Sequence, residues 1–162
     1  MLNRRILRIK VFKTLYSSEM NGNSSLAEAE MQLQASCEAA RDLYLFMLGI
    51  VRPLTAVAAE RIEAARNKFN PTEEEKNPNT KFADNALAVL IDSDPDFQKI
   101  FRKKKFSWDQ YDLFLKKTFS SISSKPYYAR YMQSPESSLK EDCLLFRHIF
   151  EEEFADSEDL AQ

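Results

Sequence analysis

Between residues 33 and 69 the apolar positions advance by threes and fours without a break: Leu33, Cys37, Ala40, Tyr44, Met47, Val51, Leu54, Ala58, Ile62, Ala65 and Phe69. That is the period of one helix face, not of a strand. The phase survives Pro53, a residue that removes a helical hydrogen bond and bends or breaks a helix. Two forms satisfy it: one long helix kinked at Pro53, or two nearly coaxial helices that break just before it. Ser25 with Glu28 makes a capping box that starts the stretch. Its middle, LYLFMLGIV, is apolar on every side, which predicts a place at the centre of a bundle. That run is well short of the about 20 residues a bilayer span needs. With only 2 Gly and 6 Pro in 162 residues, and no clean strand alternation, the chain reads as an all-α bundle of about seven or eight helices.

Ahead of this stretch, residues 3–20 read as a helix with a basic beginning. Arg4, Arg5, Arg8, Lys10 and Lys13 all precede the first acid, Glu19. Leu7, Val11 and Leu15 form one stripe, with Ile9, Phe12 and Tyr16 on its flank. A helix apolar round more than half its circumference is predicted to be wrapped by others. Arg4, Arg5 and Arg8 share an arc of about 100°. Cations there oppose the helix macrodipole, at about 0.3–1 kcal/mol each when exposed. Either they simply keep the N-terminus soluble, or they wait for an anion, and a planar guanidinium suits phosphate. Asn21-Gly22-Asn23 ends the helix, with Gly22 as a left-handed cap.

The run NRRILRIKVFKTLYS, an arginine-rich helix leading to a Leu-Tyr pair and a polar turn, resembles the opening of the NusB family of transcription antitermination factors. Arg4, Arg5, Arg8, Leu15 and Tyr16 fit that pattern, while Ile6 and Lys10 depart from it. The resemblance continues weakly to Phe69. Between Pro71 and Gln162 the family's C-terminal patterns do not occur. That part resembles the extra helical segment of some longer NusB-like chains, which implies the N-terminal part of a longer protein.

What the resemblance implies is a non-enzymatic, cytoplasmic RNA-binding factor in transcription antitermination or termination. It would bind boxA-type single-stranded RNA jointly with the small-subunit ribosomal protein NusE, at the transcription elongation complex. Arg4, Arg5 and Arg8 would contact phosphates, Lys10 and Lys13 would add field, and Tyr16 would sit at or support the RNA-facing edge. Five neutralised phosphates would give log K against log salt a slope near −3.5. A helical protein–protein interaction module without RNA affinity is the alternative, its arginines serving an acidic partner. A third reading is the targeting domain of an RNA-modifying enzyme, since some RNA methyltransferases carry a NusB-like domain. This chain has no Gly-rich cofactor motif of its own.

The domain reading is residues 1–70 as NusB-like helices, 71–80 as an exposed linker, 81–155 as an additional helical segment and 156–162 as a frayed acidic tail. Within the third part, a helix over 82–91 has Phe82, Ala86, Leu87, Leu90 and Ile91 on its apolar face. Asp94-Pro95 starts another. Ser107 caps a helix with Trp108 at its first position, and Lys125-Pro126 opens a short aromatic piece. Ser138 with Glu141 opens a final helix to about 154, with Leu139, Cys143, Phe146, Ile149 and Phe150 inward.

Formal net charge is −2, so any nucleic-acid contact must be a local patch. Arg102, Lys103, Lys104 and Lys105, beside Lys99, Phe101, Phe106 and Trp108, form a second basic cluster. Cations suit a helix C-terminus, the reading favoured here. A patch that tracks a single strand, with rings stacking on bases, is the other. Tyr127, Tyr128, Arg130 and Tyr131 read as a packed edge, with stacking on bases as the alternative. Cys37 and Cys143 read as buried reduced thiols. His148 reads as structural or surface, since no metal-binding spacing accompanies it, and no metal or cofactor is implied.

Overall fold

The structure, a computed structural model, describes residues 3–22 and 25–155. Every regular element among them is helical. The order is α1 (Arg4–Met20), α2 (Leu26–Leu48), α3 (Val51–Arg66), α4 (Glu73–Lys76), α5 (Ala86–Ser93), α6 (Pro95–Lys104), α7 (Asp112–Ser123), α8 (Pro126–Gln133) and α9 (Leu139–Ile149). A 3-10 turn at Asp109–Tyr111 precedes α7, and a π-helical turn at Phe150–Phe154 follows α9. The chain is thus all-α, with eight helices of two turns or more and the single turn α4 among the described residues. It divides between Leu48 and Gly49 into two units.

The first unit is a helical hairpin of α1 and α2. Asn3 caps α1, its side chain accepting from the Ile6 N–H at 2.9 Å. Gly22 takes the left-handed conformation, φ 62°, just past the helix end. The capping box forms at the start of α2: the Ser25 N–H donates to Glu28 Oε2 at 2.7 Å, and the Glu28 N–H to Ser25 Oγ at 3.3 Å. Lys10 ties the helices together by donating to the Ser36 carbonyl at 2.8 Å and to Ser36 Oγ at 2.7 Å.

The predicted wrapping of α1 is not found: no α1 residue is buried. Leu7 and Val11 are 38% exposed, Leu15 58% and Phe12 68%. One partner helix covers only part of a circumference, and among the described residues of this unit α2 is the only helix packed on α1. The apolar middle of α2 departs from its predicted central place in the same way. Leu43 and Tyr44 are exposed, and full burial begins only at Gly49, Ile50 and Val51.

Of the two forms open at Pro53, the break is observed. A turn at Gly49 and Ile50 ends α2, and Pro53 falls in the first turn of α3. There its missing N–H is a group the helix would leave unbonded anyway. By length and composition the run Leu26–Arg66 is apolar enough to cross a membrane, but core helices pass the same test and Ile50, Val51 and Leu54 are fully buried here.

The second unit is built on α3, which packs on α4, α5 and α7, although the sequence spacing groups it with residues 1–70. Inside the expected linker, Thr72 and Glu75 close a capping box that starts α4. Phe82 lies in a turn ahead of α5, not in the predicted helix, and is almost fully buried. Its ring meets Phe119 at 5.7 Å, Tyr128 at 5.4 Å and Phe146 at 5.8 Å. Asn85 is what delays the helix, since its side chain accepts from the Leu87 and Ala88 N–H groups. The buried face of α5 is consequently Ala88 and Ile91, and Leu90 is exposed. Ser107 Oγ accepts from the Asp109 N–H at 3.1 Å, which favours a 3-10 turn where an α-helix was predicted.

The last helix is rotated from its predicted phase. Asp142, Leu145, Phe146 and Ile149 face inward, while Leu139 and Cys143 are exposed. Asp142 sets the phase because both its oxygens are used: Oδ1 accepts from the Tyr131 hydroxyl at 2.6 Å and Oδ2 from the Ala86 N–H at 2.7 Å. Only half of the Ser138 capping box forms. Ser138 Oγ accepts from the Glu141 N–H, but the Glu141 carboxylate turns to Lys81 at 2.9 Å. Lys81 also donates to the carbonyls of Tyr131 and Ser134 at 2.7 and 3.1 Å. Lys81 and the Ser134 side chain hold the Glu141 carboxyl below its ordinary pKa, and burial with Asp142 pushes the Tyr131 phenol up. Both cysteines are free; Cys37 is half-buried and Cys143 exposed, not buried as predicted.

Candidate nucleic-acid interface

The first turn of α1 contains no acidic residue, and Arg4, Arg5 and Arg8 are exposed. Among the described residues no carboxylate pairs with any of the three. Elsewhere several exposed cations lie near a carboxylate. Arg52 lies near Asp92, Lys116 near Asp112 and Arg147 near Glu151, at 3.8, 2.7 and 2.8 Å. The arginines of α1 stand out as three unpaired guanidinium groups within five residues.

Further along α1, Phe12 and Tyr16 are 68% and 58% exposed, and their rings stack at 6.3 Å with 21° between planes. Arg4, Arg8, Phe12 and Tyr16 follow one another at intervals of four, so they form one ridge on the helix surface, about 18 Å long. Guanidinium groups stand at one end of it and an open aromatic pair at the other. That order suits a strand whose phosphates meet the cations and whose bases reach the rings.

Not every predicted residue is free for such a contact. Lys10 is held on Ser36, so its role is to join the helices. Lys13 is exposed and lines a shallow groove of about 490 Å³ with Ile9, Thr14, Ser17 and Gln32. Phe12, absent from the sequence-based list, belongs to the ridge. Its spacing of four from Arg8 and Tyr16 was the available signal, and its apolar character hid it.

The other cluster, Arg102, Lys103, Lys104 and Lys105, lies in the second unit at the end of α6. All four are exposed. Phe101 stacks on Phe97 at 4.6 Å and meets Phe106 edge-on at 5.4 Å, so these rings are occupied with one another. Tyr127 and Tyr131 are buried. His148 is exposed and stacks on Tyr127 at 5.8 Å. Among the described residues no group of three or more His, Cys, Asp or Glu is placed to hold a metal.

Fold and site together define an all-α protein with a basic, aromatic helical hairpin and a separate helical unit. Compared with protein-family models, with curated proteins and with solved structures, the chain matches none.

Proposed function

We propose that this chain is part of a non-enzymatic, cytoplasmic RNA-binding factor of the NusB type. It acts in transcription antitermination, on boxA-type single-stranded RNA, together with the small-subunit ribosomal protein NusE. The observation that carries this reading is the ridge of α1, with unpaired Arg4 and Arg8 followed by the exposed stack of Phe12 and Tyr16. The sequence resemblance of residues 3–16 to the family's opening helix supports it independently. Arg5 adds a third guanidinium, and Lys13 a further charge one turn on.

The test is fluorescence anisotropy with a short boxA-type RNA, with and without the ribosomal protein. With Lys10 engaged, the four free cations of α1 contribute about −2.8 to the salt slope, against −3.5 for five. Arg4→Ala/Arg5→Ala/Arg8→Ala makes the slope less negative by about 2.1. Phe12→Ala loses about 1–3 kcal/mol, the usual contribution of one stacked base. A wild-type slope near zero overturns the phosphate role. The uncovered apolar side of α1 favours one further reading, a protein-docking module without RNA affinity. In that case binding to the ribosomal protein survives nuclease treatment and the anisotropy experiment shows no RNA signal.

A further inference from the structure

Several cations of the second unit are ion-paired, while Arg66, Arg130 and Lys140 are exposed and stand singly without a carboxylate partner among the described residues. Arg52, Lys81, Lys116, Lys125 and Arg147 all have a carboxylate within 4 Å. The end of α6 differs in crowding its cations together. Lys99, Arg102, Lys103 and Lys105 are exposed and have no carboxylate partner among the described residues. A helix C-terminus carries only about −0.5 elementary charge, which one cation satisfies. The others crowd each other: Lys99 lies three residues from Arg102 and four from Lys103, spacings at which like charges repel. Asp94 caps the far end of this helix, accepting from the Phe97 N–H at 2.7 Å, and is no counterion here.

The backbone adds to the projection of charge. Lys105 is the one residue other than glycine with positive φ among the described residues, at φ 56°, ψ 38°. Its N–H closes on the carbonyls of Arg102 and Phe101, so the chain leaves the helix axis immediately after the cations. Beneath them, Phe97, Phe101 and Phe106 are half-buried against one another. The platform is therefore a packed one, and its rings are not open faces for bases.

We infer that the end of α6 is a second surface for single-stranded nucleic acid, one that binds the sugar-phosphate backbone and does not read bases. It belongs to the second unit and does not depend on the reading of α1. Charge without free rings gives affinity without sequence preference.

The experiment measures binding of the whole chain to short oligouridylate and oligocytidylate across a salt series. The variant Lys99→Gln/Arg102→Gln/Lys103→Gln changes only exposed side chains, and unchanged helical circular dichroism verifies its fold. The expected result is a slope less negative by about 2, the contribution of three phosphate contacts, equal for both homopolymers. An unchanged slope overturns the proposal. So does a variant that keeps its RNA slope but loses binding to an oligoglutamate peptide, which makes the surface a protein contact instead. Repeating the comparison in the Arg4→Ala/Arg5→Ala/Arg8→Ala background separates the two sites. Loss of the remaining slope there belongs to α6 alone, whatever becomes of α1.

Discussion

Phe82→Ala is the sharpest test of how the second unit is held together. Phe82 is 1% exposed and lies outside any helix, so its replacement changes no helix propensity. Removing a buried phenylalanine ring costs about 3–5 kcal/mol through lost burial and the cavity left behind. Three ring neighbours within 5.8 Å place this site in the upper half of that range. In a unit of roughly a hundred residues each kcal/mol moves the thermal midpoint by about 4–8 °C. The expected fall is therefore about 15 °C or more. Urea unfolding followed by Trp108, the only tryptophan and a buried one in the same unit, reads it directly. Phe82→Leu, which keeps most of the volume, costs about 1.5 kcal/mol and keeps the test readable if the alanine variant does not fold. Leu113→Ala, at a site 84% exposed, stays within about 0.5 kcal/mol. A Phe82→Ala variant as stable as Leu113→Ala refutes the assignment of Phe82 to the centre of the core.

Asp142→Ala leaves the Ala86 N–H without its acceptor, at about 1–3 kcal/mol, and the Tyr131 hydroxyl with only the Lys81 carbonyl at 3.4 Å; Asp142→Asn costs less, and equal costs would deny the two-sided role. The Glu141 carboxyl is held low by Lys81, so its stabilisation is present above the ordinary carboxylate range, near pH 4.3, and is lost as pH falls through the depressed folded value. Glu141→Gln should accordingly flatten the acid limb of stability against pH, measured by urea midpoints. Lys105→Gly relieves a left-handed residue that has a Cβ and should raise the thermal midpoint, by about 1 kcal/mol equivalent; a fall would mean the Lys105 side chain makes contacts that outweigh the strain.

Signals that depend on a few neighbouring residues were legible in the sequence. The Ser25–Glu28 box, the Gly22 cap and the Asp94-Pro95 start all lie where local hydrogen bonding puts them. What escaped depends on residues far along the chain. The phase of α9 turns on Asp142 meeting Ala86 and Tyr131, and no periodicity of apolar residues anticipates an inward aspartate. Phe82 looked like the first turn of a helix until Asn85 took the cap for itself. The arginines of α1 were plain from their order. That Lys10 is spent on Ser36, and that Phe12 joins Tyr16 in the open, needed the hairpin.

The bond from Ala86 to Asp142 spans 56 residues, and that separation has a consequence in time. A ribosome adds about 5–20 residues per second, so roughly 3–11 s pass between synthesis of the α5 N-terminus and of its distant acceptor. At eight residues α5 is well below the about 12–15 needed for a helix to persist alone in water. During synthesis α5 has α3, already made, to pack on, but the Ala86 N–H and the side of α5 that meets α9 wait until α9 emerges. The second unit therefore closes from its late end, and a ribosome that stalls before Asp142 holds a chain whose middle has not yet set.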